Sequence, residues 1–247
     1  MGKESSGVIL PAKGDLEVKT LDAFKFLSTL DEGSVDLILT DPPYTISRKS
    51  GFSQYGPRGV ARFAVSMEFG KWDNRAIDLP KLSRSTYRAL KPRGSAIIFY
   101  DFWKLSYLAD AMKDAGFKML RVLIWEKSNP VPLNSKRAYL TNSREVAIFG
   151  VKGGRPTFHS EYDNGIYRLP IPRHNGNRIH PTQKPLELFQ ELILKHSNKG
   201  DLVVDPFLGS GTTAVAALKT DRRFKGSDID SSYIKEARLR LKDATQE

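Results

Sequence analysis

The sequence predicts an α/β fold, a mostly parallel sheet of seven strands with helices on both faces. Three observations predict it. Short apolar runs alternate with helical patterns over most of the 247 residues, and repeated β–α alternation within one domain needs a parallel sheet with crossover helices. Several of these runs stop at an aspartate (Asp41, Asp205 and Asp228), where strand gives way to loop. The chain is long enough to bury one full core, and no internal repeat or low-complexity tract divides it.

Residues 1–14 are mostly polar, with Gly, Pro and Ser, and read as a flexible lead-in to a single domain over 15–247. Leu16–Lys19 is a brief strand and Ala23–Leu30 a helix carrying Phe24, Phe26, Leu27 and Leu30. Val35–Leu39 is a compact apolar strand that ends at Asp41-Pro42-Pro43, because prolines cannot donate to a ladder. Leu79–Leu90 reads as a helix ended by Lys91-Pro92-Arg93-Gly94, and Ala96–Tyr100 as the next strand. Leu105–Ala115 is a helix closed by Gly116. Strands at Leu120–Trp125 and Glu145–Val151 follow, then a helix over Pro185–Lys195 opened by proline. Leu202–Val204, Thr212–Lys219, Phe224–Asp228 and Ser232–Leu241 complete the series as strand, helix, strand, helix.

Lys and Arg number 39 against 28 Asp and Glu, a net charge of +11 that favours a polyanionic partner or an acidic surface. Cysteine is absent, which excludes disulfides, thiolate metal sites and cysteine nucleophiles. No apolar run approaches the roughly 18–20 residues that cross a bilayer. The opening residues carry no apolar segment of signal-peptide type, so a soluble, intracellular protein is expected. The four histidines lack metal-ligand spacing, and no metal site is expected. Two stretches break the β–α alternation, at about 45–75 and 129–178, and they hold nine of the eleven net positive charges. Loops this long in a compact domain are usually functional, so both read as ligand-facing insertions.

Two loops carry the chemistry. Asp205-Pro206-Phe207-Leu208-Gly209-Ser210-Gly211-Thr212-Thr213 follows one strand and opens a helix. Its glycines let the backbone approach a ligand, and the helix start offers free N–H groups. The Lys of a phosphate-binding loop is missing. Asp228 ends the next strand 23 residues on, where an acid can accept from ribose hydroxyls. A helix-packing turn with Asp228 as a helix cap is the competing reading. In the second loop, Thr40-Asp41-Pro42-Pro43-Tyr44, two fixed φ angles hold the Asp41 carboxylate, the Pro42 carbonyl and the Tyr44 ring in set directions. Two acceptors and an aromatic plane suit a planar exocyclic amine. Alone, the tetrapeptide reads as a rigid strand exit.

Together, Asp41-Pro-Pro-Tyr and Asp205-Pro-Phe-x-Gly-x-Gly-Thr resemble the amino-methyltransferases that modify exocyclic nitrogens of DNA bases with S-adenosylmethionine. The catalytic loop lies N-terminal to the cofactor loop, as in the β class, a circular permutation of the Rossmann-like methyltransferase fold. His180-Pro181-Thr182-Gln183-Lys184-Pro185 matches the segment before the cofactor loop, and Asp22-Ala23 the acid that faces the cofactor adenine. Gly226-Ser227-Asp228 stands where Gly-x-Glu is usual. The series with Phe69-Gly-Lys-Trp72-Asp73 and Trp125-Glu-Lys-Ser-Asn129-Pro130 looks most like the small MboII-type adenine enzymes.

The resemblance implies methylation of N6 of a flipped-out adenine in double-stranded DNA, with cytosine-N4 or an RNA substrate as the rival within enzymes. An inactive nucleic-acid-binding module of the same fold is the rival outside them, and a dehydrogenase would leave Asp41-Pro-Pro-Tyr unexplained. The implied catalytic residues are Asp41, Pro42, Pro43 and Tyr44. S-adenosylmethionine would meet Asp22, Ala23, Thr182, Lys184, Asp205, Pro206, Phe207, Gly209, Ser210, Gly211, Thr212 and Asp228. DNA phosphates or base edges would meet Arg48, Lys49, Lys136, Arg137, Arg144, Arg173 and Arg178. The resemblance further implies a cytoplasmic, prokaryotic or phage-encoded protein, and leaves open a homodimer and a cognate restriction endonuclease as partner.

Overall fold

The computed structural model describes residues 16–43, 77–130, 140–172 and 184–246. These residues form one sheet, built from strands β1 (Leu16–Thr20), β2 (Val35–Thr40), β3 (Leu90–Tyr100), β4 (Lys118–Lys127), β5 (Arg144–Val151), β6 (Ile166–Leu169), β7 (Leu202–Asp205) and β8 (Arg223–Asp228). Six helices pack on it: α1 (Ala23–Thr29), α2 (Leu79–Ala89), α3 (Leu105–Asp114), α4 (Leu186–His196), α5 (Thr212–Lys219) and α6 (Ser231–Ala244). The strand order is β1-β8-β7-β2-β3-β5-β4-β6. Only β5 runs against its neighbours β3 and β4. All other pairings are parallel.

The central strands read as unbroken apolar runs because both of their faces are covered. Leu37 and Leu39 of β2, with Ile97 and Phe99 of β3, pack against α4, α5 and α6. Ile38 of β2, with Ala96 and Ile98 of β3, packs on the opposite face against α1, α2 and α3. A period of two thus divides one apolar run between two cores. At the other end of β2, Asp36 ties three strands together. Its carboxylate pairs with Lys91 at 2.7 Å and accepts the Leu202 N–H at 2.9 Å.

The structure departs from the expected elements in two places. Helix α2 passes straight into β3 at Leu90, so Lys91–Gly94 lies inside the strand instead of ending the helix in a loop. The extra residues are taken up as an irregularity: Val35 faces Leu90, whereas Leu37 already faces Ser95. Gly94 is required there, since a Cβ would sit 2.9 Å from the Lys91 carbonyl oxygen. The second departure is an eighth strand where the sequence predicts seven. Strand β6 lies within the 129–178 insertion and pairs with β4 from Ile124↔Ile166 to Lys127↔Leu169. With only four residues between Gly165 and Pro170, Ile-Tyr-Arg-Leu is too short to show a periodicity.

The order in which the chain lays down its strands reverses between the parallel neighbours β7 and β2. From β2 the chain continues to β3 on one side, and from β7 to β8 on the other. Open α/β sheets bind ligands at the carboxyl ends of strands beside such a switch. No helix among the described residues is long and apolar enough to cross a membrane.

Candidate active site

The carboxyl edge gathers acids from distant parts of the sequence. Asp22 follows β1, Asp228 ends β8, Asp205 ends β7, and Asp41 follows β2. Because β5 is antiparallel, its first residues join the same edge, with Val146 opposite Tyr100 at the end of β3. Glu145 therefore comes to the edge as well.

Asp205 and Asp41 meet across the switch point. β2 and β7 are hydrogen-bonded neighbours, with Ile38 facing Val204. Thr40 Oγ1 donates to Asp205 Oδ1 at 2.6 Å, bridging 165 positions of sequence. Asp205 also accepts from the Phe207 N–H at 3.0 Å and from Thr213 Oγ1 at 2.5 Å. Its side chain is thus the peg around which the Pro206–Gly211 turn folds. Burial raises the Asp205 carboxyl to about 6, although its three donors pull the other way.

The turn itself joins two functions. Gly209 and Gly211 both have positive φ, at 52° and 85°. The Gly209 N–H donates to Asp228 Oδ2 at 2.8 Å, while Asp228 Oδ1 accepts the Asp230 N–H at 2.9 Å. The cap of α6 is Asp230 and not Asp228. Asp228 instead braces the glycine turn, and burial raises its carboxyl above the ordinary carboxylate range. Gly211 serves packing: a Cβ there would lie 2.7 Å from Ala237 Cβ of α6. Arg240 reaches back from α6 to the Ser210 carbonyl at 2.7 Å and to Thr212 Oγ1 at 3.3 Å. Asp22 caps α1, with its Oδ1 accepting from Phe24 and Lys25 N–H at 3.0 and 3.1 Å. Among the described residues, both bonds fall on Oδ1. Ala23 is buried in the first turn of that helix.

This edge fits a nucleoside-bearing donor. Carboxylates at or just past the ends of three adjacent strands, at Asp22, Asp228 and Asp205, flank a glycine turn at the start of α5. Partly exposed Phe207 lies between Asp205 and that turn. Acceptors for an amine and a diol, with a partly exposed ring, are the partners such a group needs.

Asp41 is held by a residue the sequence placed elsewhere. Lys184, read from the sequence as a cofactor contact, puts its ammonium on Asp41 Oδ2 and, at 3.0 Å, on Glu145 Oε2. It is 3 % exposed and lies 5.3 Å from the centre of the Phe99 ring. Glu145 also pairs with Lys127 through Oε1 at 2.8 Å. Sequence reasoning missed both Glu145 and Lys127. Burial pushes the Glu145 carboxyl up, but Lys184 and Lys127 outweigh it and hold the group below the ordinary carboxylate range. For Asp41 burial wins, helped by the Glu145 charge and opposed by Lys184, so its carboxyl is raised. Asp41 Oδ1 is buried without a hydrogen-bond partner among the described residues.

Pro42 and Pro43 follow Asp41 directly and are buried and half-buried. Tyr44, Thr182 and the basic candidates Arg48, Lys49, Lys136, Arg137, Arg173 and Arg178 lie outside the described residues. Arg144 is described: it is exposed at the start of β5, opposite Glu126 and on the other sheet face from Glu145.

Comparison with known proteins bears on this edge. A family model described as DNA methylase, of the N6/N4 type, matches residues 35–239. The chain is 34 % identical over 244 residues to the type II methyltransferase M2.DpnII of Streptococcus pneumoniae, covering 89 % of this chain and 87 % of that one. The crystal structure of an M1.HpyAVI–SAM complex superposes with a TM-score of 0.68 at 28 % identity, over 92 % of this chain and 99 % of that one. The PvuII cytosine-N4-specific DNA methyltransferase superposes with a TM-score of 0.71, over 94 % of this chain and 90 % of that one, and at 17 % identity it speaks to the fold alone.

Proposed function

The chain belongs to the N6/N4 DNA methylase family, and from that premise we propose that it methylates N6 of adenine in double-stranded DNA, with Asp41 taking the amine. DNA is the substrate and S-adenosylmethionine the methyl donor. One observation carries the catalytic assignment: Asp41 presents a buried carboxylate oxygen with no donor among the described residues, one residue from the Thr40 bond to Asp205. An unmet buried acceptor costs about 1–3 kcal/mol, which an arriving N–H donor recovers.

The adenine amine is a weak nucleophile because its lone pair is delocalised into the ring. Hydrogen bonds from N6 to Asp41 and to the Pro42 carbonyl localise that lone pair on nitrogen. When bound, S-adenosylmethionine supplies an electrophilic sulfonium methyl group beside the glycine turn. N6 then forms a bond to the methyl carbon as the carbon–sulfur bond breaks. Asp41, with its carboxyl raised, accepts the proton that N6 sheds. Orientation in a water-poor cleft supplies much of the rate.

A base inside a duplex cannot reach this edge, so the adenine swings out at a cost of a few kcal/mol. Stacking on Tyr44 would offset about 1–3 kcal/mol of it. We assign Asp228 and Asp22 to the cofactor's ribose and adenine, Phe207–Thr212 to its remaining contacts, and Arg144 with the basic insertions at about 45–75 and 129–178 to the DNA backbone. We further read the protein as acting in the cytoplasm, as a homodimer and beside a cognate restriction endonuclease. Its likeness to a type II methyltransferase supports the last of these.

The test is mass spectrometry of nucleosides from unmethylated DNA incubated with the protein and S-adenosylmethionine. N6-methyladenine is the expected product. N4-methylcytosine would move the assignment to the other base, and no methylated nucleoside would overturn it.

A further inference from the structure

We propose that Glu145 is a positioning residue for methyl transfer: with Asp41 it shares the Lys184 ammonium, which fixes Asp41 Oδ2 and leaves Oδ1 to receive the substrate amine. The inference rests on the catalytic reading of Asp41 above and goes beyond it by assigning Lys184 and Glu145 to the carboxylate instead of to the cofactor.

Four charges form a line, Asp41, Lys184, Glu145 and Lys127, contributed by the exit of β2, the approach to α4, the start of β5 and the end of β4. Their sum is zero. Lys184 is almost wholly buried, and a buried ammonium persists only when its charge is met. Asp41 and Glu145 both meet it, so the ammonium is held by two carboxylates. Lys127 in turn neutralises Glu145 and lies 5.2 Å from the centre of the Trp125 ring. The ring of Phe99 limits the direction in which Lys184 can swing. Helix α4 begins at Leu186, two residues after Lys184, so the helix start fixes the backbone that delivers the ammonium.

Such an arrangement decides which Asp41 oxygen is free. An unanchored ammonium could straddle both oxygens and compete with the incoming amine. Held by Glu145, it occupies Oδ2 only. Among the described residues Asp205 on β7 also lies near Asp41, and its own carboxyl is raised in part by Asp41. The titration of Asp41 is therefore set by burial, which disfavours its anion, by Lys184, which favours it, and by Glu145, which disfavours it.

These opposing signs give the test. Methyl transfer to unmethylated genomic DNA is followed against pH in single turnovers, for the intact protein and for Lys184→Met, Glu145→Gln and Lys184→Arg. Lys184→Met should move the acid limb of the rate to higher pH by about one unit or more, a tenfold or larger loss where the limb is crossed. Glu145→Gln should move it to lower pH while lowering the plateau several-fold, because the anion is less opposed but the ammonium less fixed. Lys184→Arg, which keeps the charge, should restore the limb. Affinity for S-adenosylmethionine, measured by calorimetry, should stay within about twofold in all three.

Limbs that do not move, or that move the same way in Lys184→Met and Glu145→Gln, overturn the proposal. So does a large loss of cofactor affinity in Lys184→Met, which would return that lysine to the cofactor. If Lys184→Met does not fold, the Glu145→Gln limb and the Lys184→Arg rescue decide alone. An intact protein that methylates nothing would instead refute the proposed function itself.

Discussion

At the scale of single residues, the site rests on carboxylates that cannot replace one another. Among the described residues Asp41 has an unmet oxygen and a lysine partner, Asp205 has hydroxyl and backbone donors, and Asp228 has backbone donors. Asp41→Ala should lower methyl transfer about 100-fold or more while leaving S-adenosylmethionine affinity largely intact, as single-turnover rates and calorimetry would show. Equal loss of both would contradict the role. Asp228→Ala should do the reverse, weakening cofactor affinity about 10- to 100-fold, the worth of a hydrogen bond to a charged group. Unchanged affinity would remove Asp228 from the ribose and leave it as a brace for Gly209.

At the scale of elements, two close approaches set the geometry of the glycine turn. Asp205 pins it to β7, and Gly211 lets α6 lie against the start of α5. Gly211→Ala combines a left-handed φ of 85° with a Cβ 2.7 Å from Ala237. Gly200→Ala supplies the control, because its φ is 78° but nothing lies within 4 Å. Thermal melts should place Gly200→Ala near the ~1 kcal/mol cost of backbone strain. Gly211→Ala should lose about 1–3 kcal/mol more through overpacking, seen as a melting point several degrees lower. Equal melting points would mean that α6 yields freely. At this scale most strands and all six helices were legible in the sequence. The entry into β3 was not, because Pro92 and Gly94 carry the turn signal whether they end a helix or interrupt a strand. The short edge strand β6 was not either, since its pairing with β4 and not its composition makes it a strand.

At the scale of the whole molecule, two buried groups give stability opposite dependences on pH. His196 lies between Phe149 and Phe158, with ring centroids 4.8 and 5.4 Å away, and burial lowers it to about 4 from 6.5. Folding favours its neutral form, so that contribution is full above pH 6.5 and is lost as pH falls toward 4. Asp205 is raised to about 6 from 3.8. Folding favours its protonated form, so its contribution is full below pH 3.8 and is lost as pH rises through 6. Each amounts to about 3 kcal/mol at most, and between pH 4 and 6 they oppose. Denaturant melts across this window should show Asp205→Asn losing stability more steeply on acidification than the intact protein. His196→Phe should lose stability as pH rises instead. Parallel curves for the two variants would rule out this pairing.

The alternation of strand and helix, the two loops with their aspartates, and the family resemblance that the comparisons bear out can all be read from the order of the amino acids. These are local signals, written in apolar spacing and turn residues within a few positions of one another. What Asp41 touches emerges from the folded sheet. Lys184 is 143 positions away, and Glu145 reaches the same edge because β5 runs antiparallel. A buried charge takes the opposite charge that the sheet order brings beside it. Neither the identity of a lysine nor its place in a motif specifies that neighbour.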